Sequence, residues 1–332
     1  MSSFGVFKMV KAVRVYEVGG PEVMRIEDIE LGEPGSGEVR VRNRAIGVNF
    51  IDTYFRSGHY AAPSLPFTPG NEAAGEVTMV GKGVKDIREG DRVAYVANLG
   101  CYAEERIVDA QRLVPLPKKI SYETAAAMML KGFTARYLLR RTFKVKKGDR
   151  VLIQAAAGAT GLILCQWARA LGAKVIGTAG SPEKAEIAKR AGARHVILYR
   201  EEDFAARVKE ITNGKLCDVV YDGVGKTTFP ASLDCLRPLG TFVSFGSASG
   251  AIEDFPLSLL TQKGSLFATR PTLNTYIATR KQLLATARDL MQVVSKGDVK
   301  IAIHETAPLD DVVRIHQNLE GRATSGASVL IP

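Results

Sequence analysis

The sequence predicts an α/β protein in which a parallel, doubly wound sheet domain is joined to a mostly β domain. Three observations carry that reading. Residues 150–245 alternate unbroken apolar strands with helices, the pattern of a parallel sheet covered on both faces. Residues 11–120 read as short strands broken by glycine and proline. The tail, residues 327–332, returns to strand character. At roughly 150 residues per domain, a chain of 332 residues is expected to form two.

In order along the chain, Val39-Arg40-Val41-Arg42 alternates with period two, as a half-exposed strand does. Residues 75–81 and 91–96 behave similarly, and Gly32-Glu33-Pro34-Gly35-Ser36-Gly37, Gly81-Lys82-Gly83 and Glu89-Gly90-Asp91 supply the turns. After Ser121 the rhythm changes. Ala125-Ala126-Ala127-Met128-Met129-Leu130 opens a helix of strong helix formers. Five strands are then predicted at residues 150–154, 173–177, 195–198, 218–221 and 241–245, with helices at 161–171, 182–191 and 202–212. Ser181 stands as N-cap and Pro182 at the first helical position. A further helix spans residues 280–295, and the last strand is expected to rejoin the first half, making the β-rich domain discontinuous.

Composition narrows the class. Hydrophobic residues at 46% and charged residues at 24% exclude disorder, collagen-like repeats and a small disulfide scaffold. The formal charge of +10 points to anionic partners. Cys101, Cys165, Cys217 and Cys235 lie far apart and never form C-x-x-C, which fits a reducing compartment, hence the cytoplasm, and gives no zinc spacing. Neither an export signal nor an apolar run of about 18 residues is visible, so no membrane association is expected.

The most informative segment is residues 151–161, Val-Leu-Ile-Gln-Ala-Ala-Ala-Gly-Ala-Thr-Gly. It runs from strand through a small-residue loop into a helix, where backbone N–H groups can receive a pyrophosphate. Gly158 and Gly161 are the last two glycines of G-x-G-x-x-G, with Ala156 in the first position. Alone, G-x-x-G is weak; at the first crossover of an alternating series it predicts dinucleotide binding. About 20 residues on, NAD-binding chains place an acid against the ribose hydroxyls. Here the sequence is Gly177-Thr178-Ala179-Gly180-Ser181-Pro182-Glu183-Lys184, and no carboxylate ends the strand. Ser181 can donate a hydrogen bond and Lys184 can reach a phosphate, so a 2′-phosphate, hence NADPH, is favoured. The plainer alternative makes Ser181 only a cap and Lys184 only a solvated charge. Both hold together, because a cap sits at an anion-attracting helix end.

Asn49-Phe50-Ile51-Asp52, Pro69-Gly70-Asn71-Glu72-Ala73-Ala74-Gly75, Gly90-Asp91-Arg92-Val93 and the loop at 155–161, in that order, resemble the medium-chain dehydrogenase/reductase superfamily. Lys131-Gly132-Phe133-Thr134-Ala135, Val219-Val220-Tyr221-Asp222 and Val243-Ser244-Phe245-Gly246 narrow the resemblance to its NADPH:quinone oxidoreductases, the zeta-crystallin-like branch. It covers residues 10–332, and the first nine residues look like an extension. It implies a GroES-like catalytic domain at residues 1–130 and 272–332, a Rossmann NADPH-binding domain at 131–271, and a homodimer or homotetramer.

The resemblance implies Asn49, Asp52 and Tyr60 as catalytic residues around the nicotinamide, in a cleft between the domains, with Asn49, Lys131 and Thr134 also on the cofactor. Asn49 bonding only backbone, and Lys131 as a surface charge, stay open. The cofactor contacts comprise Gly158, Ala159, Thr160 and Gly161 at the pyrophosphate and Gly180, Ser181 and Lys184 at the ribose phosphate. Tyr199 would stack near the adenine. Val224, Phe245, Gly246 and Ser247 would line the nicotinamide side, and Arg270 and Arg322 would contact phosphate. Ala159-Thr160 departs from the Gly-Val frequent in relatives, and Gly223 from a frequent Ser.

Zinc-dependent alcohol dehydrogenases of the same superfamily take a Cys near the position of Asn49 and a His where Asn71 stands, plus four clustered cysteines in the region of residues 95–115. This chain has only Cys101 there. An amide and scattered thiols cannot close a zinc shell, and His59, His195, His304 and His316 are too dispersed to rescue one. No metal is expected. The substrate must then accept hydride readily, as a quinone does, while the protein supplies orientation and electrostatics. No His stands near the cleft motifs, so no indispensable acid–base side chain is expected. Reduction of enones or enals is the second reading. An RNA-binding protein with little catalysis is the third, resting on Arg136, Arg140, Arg141, Lys144, Lys146, Lys147 and Arg150 around the single acid Asp149. Such a run is usually a solvated face, and no RNA-binding motif accompanies it.

Overall fold

The computed structural model describes residues 7–332, so most of the expected N-terminal extension lies outside the described residues. The chain divides into two compact units, one running up to Leu130 and resuming over Ile301–Pro332, the other spanning Lys131–Lys300.

The first unit opens with β1 (Lys8–Val15), antiparallel to β2 (Met24–Leu31) from the pair Lys8↔Leu31 onward. Lys8 and Met9, expected within the extension, are strand residues. The long strand β3 (Glu38–Val48) alternates burial at its start and is continuously buried from Ala45 to Val48. It is followed by α1 (Phe50–Arg56), β4 (Glu72–Val80), β5 (Arg92–Val96), β6 (Glu105–Asp109) and β7 (Leu113–Pro115). The core of this unit packs Val41, Ile46, Val77, Val93, Tyr95 and Tyr102. The helix α2 (Tyr122–Tyr137) carries the chain into the second unit.

In that unit β8 (Arg150–Ile153), α3 (Ala159–Ala170), β9 (Lys174–Ala179), α4 (Pro182–Arg190), β10 (His195–Leu198), α5 (Phe204–Ile211) and β11 (Cys217–Asp222) alternate as expected. Next come α6 (Ala231–Asp234), β12 (Leu236–Ser244), α7 (Ser258–Gln262), β13 (Phe267–Thr269), α8 (Leu273–Tyr276) and α9 (Arg280–Ser295). The strands form one parallel sheet in the order β10-β9-β8-β11-β12-β13. Five of the six were expected. The sixth, β13, is three residues long and exposed throughout, so it leaves no apolar pattern to read. Leu152, Ile176, Ile197, Val220 and Phe242 fill the core under the sheet, each stabilising by about 1.5–3 kcal/mol.

The helix α9 corrects the second domain boundary. Leu290 lies so close to Gly132 that a Cβ there would sit 2.5 Å from Leu290 Cδ1, and Arg136 donates to Asp289 Oδ2 at 2.9 and 3.0 Å. These contacts tie α9 to the second unit and move the boundary from residue 272 to Ile301. The chain then forms β14 (Ile303–Pro308), α10 (Val312–Glu320) and β15 (Ala327–Ile331). The tail rejoins the first unit as expected. Strand β15 pairs antiparallel with β3 and parallel with β14, giving the order β14-β15-β3-β4-β5-β7, with β6 also on β3. Among the described residues no helix is long and apolar enough to cross a membrane.

Candidate active site

The loop after β8 enters α3 at the carboxyl edge of the parallel sheet. Ala156 N donates to Thr178 O at 2.9 Å, Ala155 takes a left-handed φ of 53°, and Gly158 is the N-cap without a side-chain cap. The amides of Ala159, Thr160 and Gly161, the first three of α3, thus have no intrahelical acceptor, and the helix dipole adds positive potential there. A Cβ on Gly161 would lie 2.4 Å from Ala155 O and 2.8 Å from Ala156 O. Only glycine lets the helix start this close to the loop.

Strand β9 ends at Ala179 with no acid, and Ser181 caps α4 by accepting from Lys184 N at 3.4 Å. The Ser181 hydroxyl also holds the Glu183 carboxyl below its usual range. Tyr199 follows β10 with its phenol beside the same turn: a Cβ on Gly180 would meet its hydroxyl at 2.7 Å. Loop, turn and tyrosine therefore meet at one edge of the sheet.

Two further loops share this edge. Val224 N and Gly225 N donate to Asp222 Oδ1 at 2.8 and 3.0 Å. Arg270 donates through Nη1 to Ser244 Oγ at 3.1 Å and Gly246 O at 3.3 Å, and through Nη2 to Ser247 Oγ at 3.0 Å. Arg270, expected on a phosphate, thus also braces the turn that carries Phe245, Gly246 and Ser247. On α2, Lys131 is buried, and Thr134 hydrogen-bonds Tyr137, whose ring stacks on Tyr276 at 4.5 Å. Two members of the basic cluster are engaged by the protein itself: Arg136 pairs with Asp289, and Arg150 with Asp218 and the carbonyl of Lys215.

In the first unit, Asn49 links the end of β3 to α1. Its Nδ2 donates to Glu72 Oε1 at 2.8 Å and to Gly47 O at 3.3 Å, so it bonds both carboxylate and backbone. Glu72 Oε2 accepts from Leu130 N at 2.6 Å. Asp52 is fully buried and accepts from Asn49 N at 2.8 Å, Asn71 Nδ2 at 2.5 Å and Tyr102 OH at 2.9 Å. That geometry makes Asp52 an anchor for its neighbours, the groups expected around the nicotinamide.

The expectation that no His lies near these motifs also fails. His316 Nε2 lies 3.0 Å from Tyr102 OH, and its Nδ1 lies 3.2 Å from Arg56 Nη1. Arg56 can only donate, so Nδ1 accepts and Nε2 carries the proton. Burial and the Arg56 charge push the imidazole down to about 3, while burial and Asp52 push the Tyr102 phenol well up. Arg56 in turn donates to Glu320 Oε1 at 2.6 Å. His59, also expected to be remote, stacks on Tyr60 at 5.1 Å, and Tyr54 and Phe55 pack edge-on against Tyr60 at 5.1 and 5.8 Å. Arg322 is exposed in the turn after α10 with a φ of 56°.

Sequence reasoning missed Tyr102, His316 and Arg56, whose partners are as many as 264 positions away along the chain. Glu72 and Asp222 lay inside the motifs but were assigned no role. Asn71, in the position of a zinc-ligand His, spends Nδ2 on Asp52 and Oδ1 on Leu99 N, at 3.3 Å. The Cys101 thiol is pushed up to about 11 by burial. Among the described residues no group of three or more His, Cys, Asp or Glu is placed to hold a metal.

A dinucleotide cradle on a doubly wound sheet, in one chain with a β-rich unit, defines a nucleotide-dependent dehydrogenase or reductase. Two family models match in the corresponding order: an alcohol dehydrogenase GroES-like domain over residues 35–118 and a zinc-binding dehydrogenase over residues 159–288. The chain is 50% identical to a quinone oxidoreductase of Pseudomonas aeruginosa, covering 98% of this chain and 100% of that one. It is 44% identical to a 2-haloacrylate reductase of a Burkholderia species, covering 98% and 99%. The solved Escherichia coli quinone oxidoreductase complexed with NADPH is 50% identical, superposes with a TM-score of 0.95, and is covered over 97% of this chain and 100% of that one. The chain belongs to the quinone oxidoreductase family of the medium-chain dehydrogenases/reductases.

Proposed function

We propose that this protein reduces quinones with NADPH, in the cytoplasm, as a homodimer. The observation that carries the reading is the uncapped start of α3, where three backbone donors and a Cβ-free approach at Gly161 fit a pyrophosphate. The likeness to quinone oxidoreductases, one of them complexed with NADPH, supports both substrate and cofactor. NADPH, when bound, supplies the hydride.

The chain's own residues then bind, orient and screen. Gly158, Ala159, Thr160 and Gly161 hold the pyrophosphate. Gly180, Ser181 and Lys184 hold the 2′-phosphate, and Tyr199 flanks the adenine. Val224, Phe245, Gly246 and Ser247 face the nicotinamide, with Arg270 fixing their turn; Lys131, Thr134 and Arg322 are further cofactor contacts. Asn49 and Tyr60 contact the reacting groups, and Asp52 keeps Asn49 and Asn71 in register. A reduced quinone is a weak, delocalised base, so water protonates it. No Lewis acid enters this scheme because the inward amides of Asn49 and Asn71 are poor metal donors and are already bonded to carboxylates.

Buried free thiols support the cytoplasmic assignment, and the exposed edge strand β13 supports pairing with a second copy. Similarity to the 2-haloacrylate reductase favours a second reading, hydride delivery to an activated carbon–carbon double bond. Steady-state turnover of NADPH and NADH against quinones, enals and 2-haloacrylates separates the two. The first reading expects quinones to be turned over fastest and NADPH to be preferred; turnover confined to haloacrylates or enals overturns it.

A further inference from the structure

Four buried polar side chains in the second unit form one continuous hydrogen-bonded line across the carboxyl edge of the sheet. Ala155 N donates to Thr178 Oγ1 at 3.1 Å, and Thr178 Oγ1 donates to Gln154 Oε1 at 2.7 Å. The other end of the same amide, Gln154 Nε2, donates to Ser232 Oγ at 3.0 Å. Ser232 Oγ donates to Asp222 Oδ2 at 2.8 Å, and Asp222 Oδ1 collects Val224 N and Gly225 N. Thr178, Gln154, Ser232 and Asp222 are each no more than 2% exposed.

The direction of each bond in this line is fixed from its carboxylate end. The Asp222 carboxylate can only accept, so Ser232 spends its proton on Asp222 and must accept from Gln154 Nε2; the Gln154 oxygen therefore faces Thr178, which donates to it. One end of the line holds Ala155, in the phosphate loop. The other holds Val224 and Gly225, in the loop after β11. Gln154 follows β8 and Asp222 ends β11, adjacent strands where the sheet order reverses from β9-β8 to β11-β12. The line therefore crosses the topological switch point, the place where an open α/β sheet offers its ligand crevice. Buried hydrogen bonds of this kind are costly to break singly, because the orphaned partner stays desolvated.

We propose that Thr178, Gln154, Ser232 and Asp222 are positioning residues that couple the phosphate loop to the Asp222–Gly225 turn, so that the two halves of a dinucleotide are seated together. This rests on the NADPH reading for the identity of the ligand, but the coupling itself is a property of the free protein. Thr178→Val removes the first link with almost no change of shape, whereas Thr178→Ser keeps the hydroxyl. Ser232→Ala breaks the line at its centre.

Hydrogen exchange of the free protein reads the coupling without any ligand. In Thr178→Val, peptides containing Val224 and Gly225 are expected to exchange at least threefold faster, and in Ser232→Ala so are peptides containing Ala155; Thr178→Ser stays close to wild type. Cofactor titration gives the second readout. Ser232→Ala is expected to raise the NADPH Kd about tenfold while the Kd of adenosine 2′,5′-bisphosphate, which lacks the nicotinamide half, moves less than twofold. The Thr178→Val/Ser232→Ala double variant should bind NADPH no more than about twofold weaker than the weaker single variant, because both cut one line. Exchange changes confined to the mutated side, or fully additive losses in affinity, overturn the proposal. Failure of the wild-type protein to bind NADPH would contradict the cofactor reading and leave the exchange result to decide the coupling.

Discussion

Lys184 is where the choice of cofactor is expected to be made. It sits in the first turn of α4, beside a strand end that lacks the carboxylate an NAD-specific chain would place there. Lys184→Ala should raise the Michaelis constant for NADPH tenfold or more, about 1.4 kcal/mol, and leave that for NADH nearly unchanged. Equal effects on the two, measured side by side, would make Lys184 a surface charge. His316 gives a pH prediction. Its folded value of about 3 lies below the ordinary 6.5, so between those values the unfolded chain binds a proton that the folded chain refuses. The stability owed to the neutral imidazole is full above pH 6.5 and drains as pH falls toward 3, by up to about 1.4 kcal/mol per pH unit. Thermal unfolding at pH 7 and 4.5 should show a smaller pH effect in His316→Gln than in the wild type. The Ser181 cap of α4 was legible because Ser-Pro ahead of a helical run is a local signal. The Asp52–Tyr102–His316 chain was not, because its contacts span as many as 214 positions and leave no local spacing to read.

At the scale of elements, the start of α3 makes the sharpest demand on a single residue. Gly161→Ala would drive a methyl into Ala155 O, so the loop must move. The expected cost is about 1–3 kcal/mol in stability, together with at least a tenfold weaker NADPH Kd, read by thermal unfolding and fluorescence titration. An unchanged midpoint and Kd would mean that the close approach is not required. The strands of the parallel sheet were legible because burial on both faces demands unbroken apolar runs. Strand β13 and helices α1 and α10 were not. Three exposed edge residues carry no pattern, α1 spans barely two turns, and the short buried stripe of α10, Val312 and Ile315, is interrupted by the polar His316.

At the scale of the whole molecule, the change of rhythm after Ser121 and the returning tail strand foretold two units, one of them discontinuous. The boundary at residue 272 was set too early, because the contacts of α9 with Gly132 and Arg136 are tertiary and invisible to periodicity. The central claim is that quinone reduction depends on positioning, with no single indispensable acid–base side chain. Asp52 is spoken for by three donors, His316 is locked neutral, and the phenol of Tyr102 is held far above its usual range. Single-turnover oxidation of NADPH by a small quinone, followed by stopped-flow absorbance in the wild type and in Asn49→Ala, Asp52→Asn and Tyr60→Phe, tests this most directly. Each variant is expected to lose about tenfold to a hundredfold in the rate of hydride transfer, roughly 1.4–2.7 kcal/mol, while NADPH still binds. A loss of more than about ten-thousandfold in any one of them, with NADPH binding intact, would make that residue an essential catalyst and contradict the claim.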